Sequence, residues 1–232
     1  MNVETGLAPA PLSIRVWDLP TRSFHWLLVT CVIFSIVSAH VGGGAMVWHM
    51  RSGYTIFTLL AFRLVWGFAG GHWSRFRSFF YSPATSLRYL RGASLPHEHH
   101  HVGHNPLGAG SVFALLGILA LQVSTGLFAD DEIASTGPLI KYVSSATSSL
   151  ATRWHKNFGQ WIIVALALLH IGAIAFYWFK RRQNLVAPML HGDKLLSADV
   201  PASIDSTRSR ALAFAIVVAC AIVVAAVVSL GT

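Results

Sequence analysis

Charged side chains are scarce in this sequence. Only 11% of its 232 residues are Asp, Glu, Lys or Arg, whereas 54% are hydrophobic. About a quarter of the residues in a soluble domain are charged, so this composition excludes an ordinary soluble protein. Several apolar runs are long enough to cross a hydrocarbon layer of about 30 Å. The chain is therefore predicted to be an all-α integral membrane protein.

Acidic residues are absent from the apolar runs: all nine lie outside them. A transporter that moves metal ions through histidine ligands should also place carboxylates within its spans, because ionisable groups inside the membrane mark transport pathways. Their absence counts against a histidine-using metal transporter. That transporter and a purely structural membrane anchor are the alternatives from another functional class.

Cysteine is also nearly absent, and basic residues do not form a stripe. Cys31 and Cys220 lie inside apolar runs, where a small packing residue is favoured over a disulfide or a thiolate site. The formal net charge is +8, but the cations lie in loops between the apolar runs. The charge is therefore interpreted as setting the orientation of the chain in the membrane; the lipid bilayer is an expected partner, and no nucleic acid is expected.

Five apolar runs are predicted to be membrane-spanning helices: residues 24–41, 47–68, 107–129, 154–180 and 211–230. A signal peptide is the competing interpretation of the first run, but its length and its histidine favour a retained helix. The predicted organisation is a cytoplasmic N-terminal segment (1–23), a four-helix transmembrane bundle (24–182), a cytoplasmic linker (183–210) and a fifth, C-terminal transmembrane helix (211–232).

Basic residues predict the orientation of these spans. Twelve of the 17 Lys and Arg residues lie in segments 1–23, 71–106 and 180–210, which the five spans place on one side of the membrane. Because cytoplasmic loops carry an excess of Lys and Arg, the N-terminus is expected in the cytoplasm and the C-terminus on the outer side.

The fourth span carries two histidines, His155 and His170, that are too far apart for one site. In an α-helix their separation of 15 residues corresponds to about 22 Å along the axis, with both imidazoles within roughly 60° of one face. Depth in the membrane pairs His170 with His25 on the cytoplasmic side, and His155 with His49 on the outer side.

Two facing neutral imidazoles can hold the iron of a haem from both faces, and the saturated metal favours electron transfer. Two b-type haems are therefore expected, with His25, His49, His155 and His170 as axial ligands. In the alternative, these histidines only hydrogen-bond neighbouring helices. Their pairing by depth favours ligation, since ionisable groups inside a membrane are usually functional. His40 lies 15 residues after His25, so spacing alone allows it to replace His49.

Three further residues are expected to support the haems. Gly53 and Gly159 each follow an outer histidine by one helical turn, and a missing side chain there would let a porphyrin lie close to the backbone. Arg63 lies about 21 Å deeper than His49 and is expected to neutralise a haem propionate. Snorkelling of its guanidinium to the headgroups is the alternative.

Two other polar groups have weaker interpretations. The loop after the second span holds a histidine-rich run, His97–His101. A solvated loop is favoured there over a metal site, because adjacent loop histidines do not define a tetrahedral site. His104, just beyond the run, is a candidate neighbour of the inner haem propionates. Gln122, Ser124 and Thr125 allow quinone hydrogen bonding, but helix packing is favoured.

Six segments carry a family resemblance between Ile14 and Arg182. They are PTRSFHW (20–26), HMRSG (49–53), RLVWGFAGG (63–71), GHNPLGA (103–109), TGLF (125–128) and WHKNFGQWIIVALALLH (154–170). In this order and spacing they resemble the bacterial cytochrome b561 family, which includes the cytochrome b subunits of nickel-iron hydrogenases. The family's haem ligands map onto the four paired histidines, which favours His49 over His40.

The resemblance implies a diheme b-type cytochrome of the bacterial inner membrane. Members of this family move electrons between membrane quinone and a partner, which is a periplasmic cytochrome c, a hydrogenase or another dehydrogenase. In one branch the partner is superoxide, so a superoxide:quinone oxidoreductase is the alternative within the family. The fifth span lies outside the resemblance and is expected to anchor the chain or pack against a partner.

Overall fold

In the computed structural model, five helices are long and apolar enough to cross a membrane. The structure describes residues 12–93, 102–131, 135–196 and 200–231. Its elements in chain order are β1 (Leu12–Arg15), α1 (Leu19–Val41), α2 (Met46–Ala69), α3 (Pro83–Leu90), α4 (Pro106–Gly126), α5 (Ser145–Arg153), α6 (Gln160–Lys180), α7 (Val186–His191), β2 (Asp193–Leu196) and α8 (Thr207–Ser229). Helices satisfy every backbone hydrogen bond inside a bilayer. The prediction of five spans is confirmed.

The first helix begins at Leu19, five residues before the predicted span. Asp18 caps it, because its carboxylate accepts a hydrogen bond from the backbone N–H of Thr21 at 2.7 Å. Pro20 lies in the first turn, where its missing N–H costs nothing. The segment interpreted as a surface approach to the membrane therefore already contains the start of α1.

The fourth span differs from the regular α-helix that was predicted. Helix α5 continues directly into a π-helical segment, Trp154–Gly159, and α6 begins at Gln160. Hydrogen bonds in a π-helix run from residue i to i+5, so each turn holds more residues than an α-turn. The hydrogen-bond pattern around His155 and Gly159 therefore differs from the α-helical pattern that the sequence predicted.

The long helices form two packed halves. In the first half α1, α2 and α8 pack together around Phe24, Leu59, Phe62, Trp66 and Ala213. In the second half α4 packs against α6 and the π segment, and the main contact between the long helices of the two halves is that of α2 with α4. The fifth span is thus an integral part of the bundle.

The alternation of the spans gives the bundle two sides. The segments 42–45, 127–131 and 135–144 lie with the C-terminal end of α8 on one side, where Tyr142 donates a hydrogen bond to the carbonyl of Leu230. We call this the C-terminal side. The N-terminal side carries β1, β2, α3 and α7.

A folded cap covers part of the N-terminal side. Strands β1 and β2 pair antiparallel, with Leu12 opposite Leu196 and Arg15 opposite Asp193. Asp205 then joins the cap to α8 through ion pairs with Arg15 (2.7 Å) and Arg210 (2.9 Å). The segment 183–210, predicted as a linker, therefore contains ordered elements that fold back onto the N-terminal segment.

Asp205 is an ionised carboxylate at the centre of this cap. Burial opposes its ionisation, but hydrogen bonds from Arg210, the backbone of Leu19 and Arg15 outweigh that effect and lower the pKa of Asp205. The cap is therefore held in part by charge.

Candidate functional site

A cavity of about 360 Å³ lies between α1, α2, α4 and the π segment and reaches the loop on the C-terminal side. We call it the C-terminal-side cavity. Most of its lining is apolar, which is typical of a small-molecule or cofactor site with a few orienting polar groups. Its polar side chains include those of Ser35, His40, His49, Gln122 and His155.

His49 and His155 face each other across this cavity from α2 and the π segment. Their ring centroids are 5.9 Å apart and their planes are nearly perpendicular, at 83°. Nδ1 of His49 donates to the backbone carbonyl of Ser35 at 2.9 Å, and Nδ1 of His155 donates to the backbone carbonyl of Gln122 at 2.8 Å.

These two hydrogen bonds decide the chemistry of the imidazoles. Because a carbonyl can only accept, these bonds favour the tautomer with the proton on Nδ1 and the lone pair on Nε2. The hydroxyl of Ser35 also lies 3.1 Å from Nδ1 of His49. A hydrogen bond from the distal ring nitrogen to a carbonyl is the usual support of a metal-bound histidine, since it fixes the tautomer and raises ligand basicity. His49 and His155 therefore fit an iron ligated through Nε2.

His40 also lines the cavity, at the end of α1. It is exposed, and its Nδ1 is hydrogen-bonded at 2.8 Å to the carbonyl of Ile36 in its own helix. His49 instead receives its support from the neighbouring helix and contacts the ring of His155. This geometry supports the prediction that favours His49.

A second group of polar residues lies toward the N-terminal side. It consists of His25 on α1, Arg63 on α2, His104 before α4 and His170 on α6, and we call it the N-terminal-side group. The pKa of His104 is lowered to about 3, first by burial and then by the nearby charges of Arg63, His170 and His25. The structure thus brings these four residues together, as the pairing by depth predicted for His25 and His170.

His104, which the sequence analysis named as a candidate neighbour of the inner haem propionates, has a defined place in this group. Its ring lies between Trp17 and Phe79, with centroid distances of 4.7 and 4.6 Å. Tyr81 donates a hydrogen bond to its backbone carbonyl at 2.8 Å. The run His97–His101 lies outside the described residues.

Arg63 is buried, with only 3% of its surface exposed. Its Nη2 donates to the carbonyl of Ser74 at 3.0 Å, and its guanidinium lies 4.7 Å from the ring centroid of Phe76. Within the described ranges, Nη1 of Arg63 and Nδ1 of His25 and His104 are buried without a hydrogen-bond partner. The buried guanidinium nitrogen of Arg63 is a donor that fits an anionic group such as a haem propionate.

Asp18 supplies a negative charge that acts on Arg63 of this group. It is fully buried and accepts hydrogen bonds from Gly71 N at 2.9 Å, Ser74 Oγ at 2.8 Å and Trp66 Nε1 at 3.2 Å, in addition to capping α1. Sequence reasoning missed this network. The available signals were an Asp before a helix start and a Pro in its first turn.

The two predicted glycines occupy different environments. A Cβ at Gly53 would meet nothing within 4 Å, and Gly53 lines the C-terminal-side cavity. A Cβ at Gly159 would instead collide with Oε1 of Gln122 on α4. Both glycines were predicted to make room for a porphyrin. For Gly53 this remains a prediction, whereas Gly159 packs against a neighbouring helix.

A membrane-spanning helical bundle that presents imidazoles from different helices at two depths defines a membrane haem protein suited to electron transfer. The chain belongs to the prokaryotic cytochrome b561 family, which matches residues 16–192. It is therefore a multi-pass b-type cytochrome of bacterial membranes that transfers electrons through haem b. The predicted family, fold class and haem type are confirmed.

Curated relatives cover most of this chain. It is 23% identical over 215 residues to a probable Ni/Fe-hydrogenase B-type cytochrome subunit of Bradyrhizobium diazoefficiens, covering 78% of this chain and 86% of that protein. A similarly named protein of Azotobacter chroococcum is 24% identical over 229 residues, with coverages of 82% and 91%. The probable Ni/Fe-hydrogenase 1 B-type cytochrome subunit of Escherichia coli K12 is 24% identical over 196 residues, with coverages of 69% and 81%. No solved structure matches this chain.

Proposed function

We propose that this cytochrome holds two haems b and relays electrons across the membrane between the quinone pool and a redox partner. The observation that carries the proposal is the position of the two histidine groups at opposite ends of one bundle. His155 lies in the π segment and His170 lies within α6, roughly 20 Å further along the helix axis. Two haems at these depths would divide electron transfer across the bilayer into shorter steps.

Haem b supplies reversible one-electron chemistry when bound. At the outer site, the carbonyls of Ser35 and Gln122 orient His49 and His155 and increase the basicity of their free nitrogens. The apolar lining of the C-terminal-side cavity limits access of water.

At the inner site, His25 and His170 are the proposed ligands. Nη1 of Arg63, which has no hydrogen-bond partner among the described residues, and the ring of His104 would bind the propionates. Gln122 is hydrogen-bonded to His155, and Thr125 to carbonyls of its own helix, which supports a packing role for both rather than quinone binding.

The proposed orientation places the N-terminus in the cytoplasm and the C-terminal-side cavity toward the periplasm, in keeping with the excess of Lys and Arg on the N-terminal side. Single cysteines at the exposed positions Tyr142 and Arg91 test it, with Cys31 and Cys220 replaced by serine. An impermeant maleimide should label Tyr142→Cys in intact spheroplasts and Arg91→Cys only after permeabilisation. The reverse labelling pattern would show that the chain has the opposite orientation in the membrane.

The proposed partner is a nickel-iron hydrogenase, since the curated relatives carry that name.

The test of the proposed function begins with the purified chain, whose reduced-minus-oxidised spectrum and haem-to-protein ratio are measured. A ratio of two supports the proposal, one removes half of it, and zero removes it entirely.

The reduced protein is then mixed with a quinone. The oxidised protein is mixed separately with hydrogenase plus H₂, with a reduced periplasmic cytochrome c, or with superoxide. Fast reduction by hydrogenase and fast oxidation by quinone are expected. Fast reaction with superoxide but not with hydrogenase would instead select the superoxide:quinone oxidoreductase.

A further inference from the structure

We propose that Gln122 is a positioning residue for the haem held by His49 and His155, which we call the outer haem. The side-chain amide of Gln122 stabilises the π segment and thereby fixes the direction in which His155 presents its ligand nitrogen. This inference rests on the proposed function, because it takes His155 as an axial ligand.

Gln122 holds His155 by two opposed hydrogen bonds. Its side-chain Nε2 donates to the backbone carbonyl of His155 at 2.9 Å, while its own backbone carbonyl accepts from Nδ1 of the His155 ring at 2.8 Å. One residue of α4 therefore fixes both the main chain and the imidazole of this histidine.

The first of these bonds bears on the π segment itself. In an α-helix the carbonyl of His155 would accept from the backbone N–H four residues later, at Gly159, whereas in a π-helix the bond shifts to the N–H of Gln160. The amide of Gln122 gives this displaced carbonyl a second donor. This hydrogen bond thus stabilises the π-helical conformation, which is rare and occurs mostly as single turns at functional sites.

Gly159 provides the space for this amide. A Cβ at Gly159 would collide with Oε1 of Gln122, and would also come within 3.1 Å of Nε1 of Trp154. Gly159 is buried, so a methyl group there could not turn outward to solvent. The glycine is therefore explained by the approach of Gln122 from α4.

The amide also has an unusual feature. Oε1 of Gln122 and Nε1 of Trp154 are both buried without a hydrogen-bond partner within the part of the chain that is described. A buried polar atom without a partner is costly and calls for an explanation. The side-chain oxygen of Gln122 stays without a partner because the amide is held in place by the hydrogen bond of its Nε2 to the π segment.

The test compares Gln122→Ala, Gly159→Ala and the double variant in the haem-loaded protein, with Ser124→Ala as the matched control. Ser124 is exposed on the same helix, two residues further on. The readouts are the EPR signals of the two low-spin ferric haems and their midpoint potentials in a redox titration.

We expect Gln122→Ala and Gly159→Ala each to shift the outer haem signal and potential while leaving those of the inner haem unchanged. Gly159→Ala should add little in the Gln122→Ala background, because the amide that it displaces is already gone. Ser124→Ala should match the unmodified protein in both readouts. Selective loss of the outer haem from Gln122→Ala also supports the proposal.

If Gln122→Ala loses both haems, Gln122→Met becomes the deciding variant, since it keeps the side-chain length and removes the amide. Unshifted signals in the single variants, or simple addition of their effects in the double variant, would overturn the role of Gln122. An unmodified protein without an outer haem would instead overturn the proposed function, so the two failures are distinguishable.

Discussion

The two histidine groups of this cytochrome are built in different ways. In the C-terminal-side cavity, His49 and His155 each have Nδ1 bound to a backbone carbonyl of another helix. In the N-terminal-side group, Nδ1 of His25 has no partner within the described residues, and the buried charges of Arg63 and Asp18 lie nearby. Helix geometry therefore prepares one site, and a buried polar network prepares the other. The first should respond to changes in helix packing, and the second to changes in charge.

The largest expected effect separates the two sites outright. His155→Ala and His170→Ala should each remove one haem of the two, because each histidine belongs to a different group. The haem-to-protein ratio and the reduced-minus-oxidised spectrum measure this loss. Loss of both haems from either variant would mean that the two sites are not independent.

The choice between His49 and His40 sharpens the description of the C-terminal-side cavity. His49→Ala should lose the outer haem, whereas His40→Ala should retain both haems, because His40 is exposed and bonded to its own helix. The same haem count decides between them. Two haems in His49→Ala would remove this residue from the ligand set.

A smaller effect should arise from the buried network on the N-terminal side. Asp18→Ala removes an N-cap, which costs about 1 kcal/mol. It also leaves the buried donors of Trp66, Gly71 and Ser74 without an acceptor, at about 1–3 kcal/mol for each donor that finds no other partner. We expect a loss of stability of roughly 3 kcal/mol or more, measured by denaturation in detergent, with the inner haem perturbed and the outer haem retained.

Asp18→Asn is the matched control, since it keeps the size of the side chain and one acceptor oxygen. Its stability should fall between those of Asp18→Ala and the unmodified protein. An equal perturbation of both haems in Asp18→Ala would contradict the assignment of this network to the inner site.

The smallest effect concerns pH. The pKa of Asp205 is lower in the folded cap than in an unfolded chain, so folding favours its ionised form. Its contribution is therefore fully present above the ordinary aspartate pKa and is lost as the pH falls through the lowered value. The thermal midpoint of the unmodified protein should fall more between pH 6 and about 3 than that of Asp205→Asn. Identical pH profiles would show that this carboxylate does not hold the cap.

Hydropathy and depth predicted the five spans and the pairing of four histidines because both follow from local composition. The remaining features depend on contacts between distant residues. The π segment follows no local pattern, since its extra hydrogen bond comes from Gln122 on another helix. The cap pairs residues 12–15 with residues 193–196, and two four-residue strands so far apart in the chain have no sequence pattern that predicts their pairing. Ser35 contacts Nδ1 of His49 through both its backbone carbonyl and its hydroxyl, and this contact between two helices has no local sequence pattern.

The division of the bundle into two halves bears on how the protein matures in the cell. His25 and His49 belong to the first half, whereas His155 and His170 belong to the second, and α2 with α4 forms the main bridge between the long helices. Each proposed haem would thus be bound by one histidine from each half and would link the two halves. Haem binding would then add contacts between the two halves, so the haem-loaded bundle should be more stable than the same chain without haem. The abundance of this cytochrome would follow the supply of its cofactor.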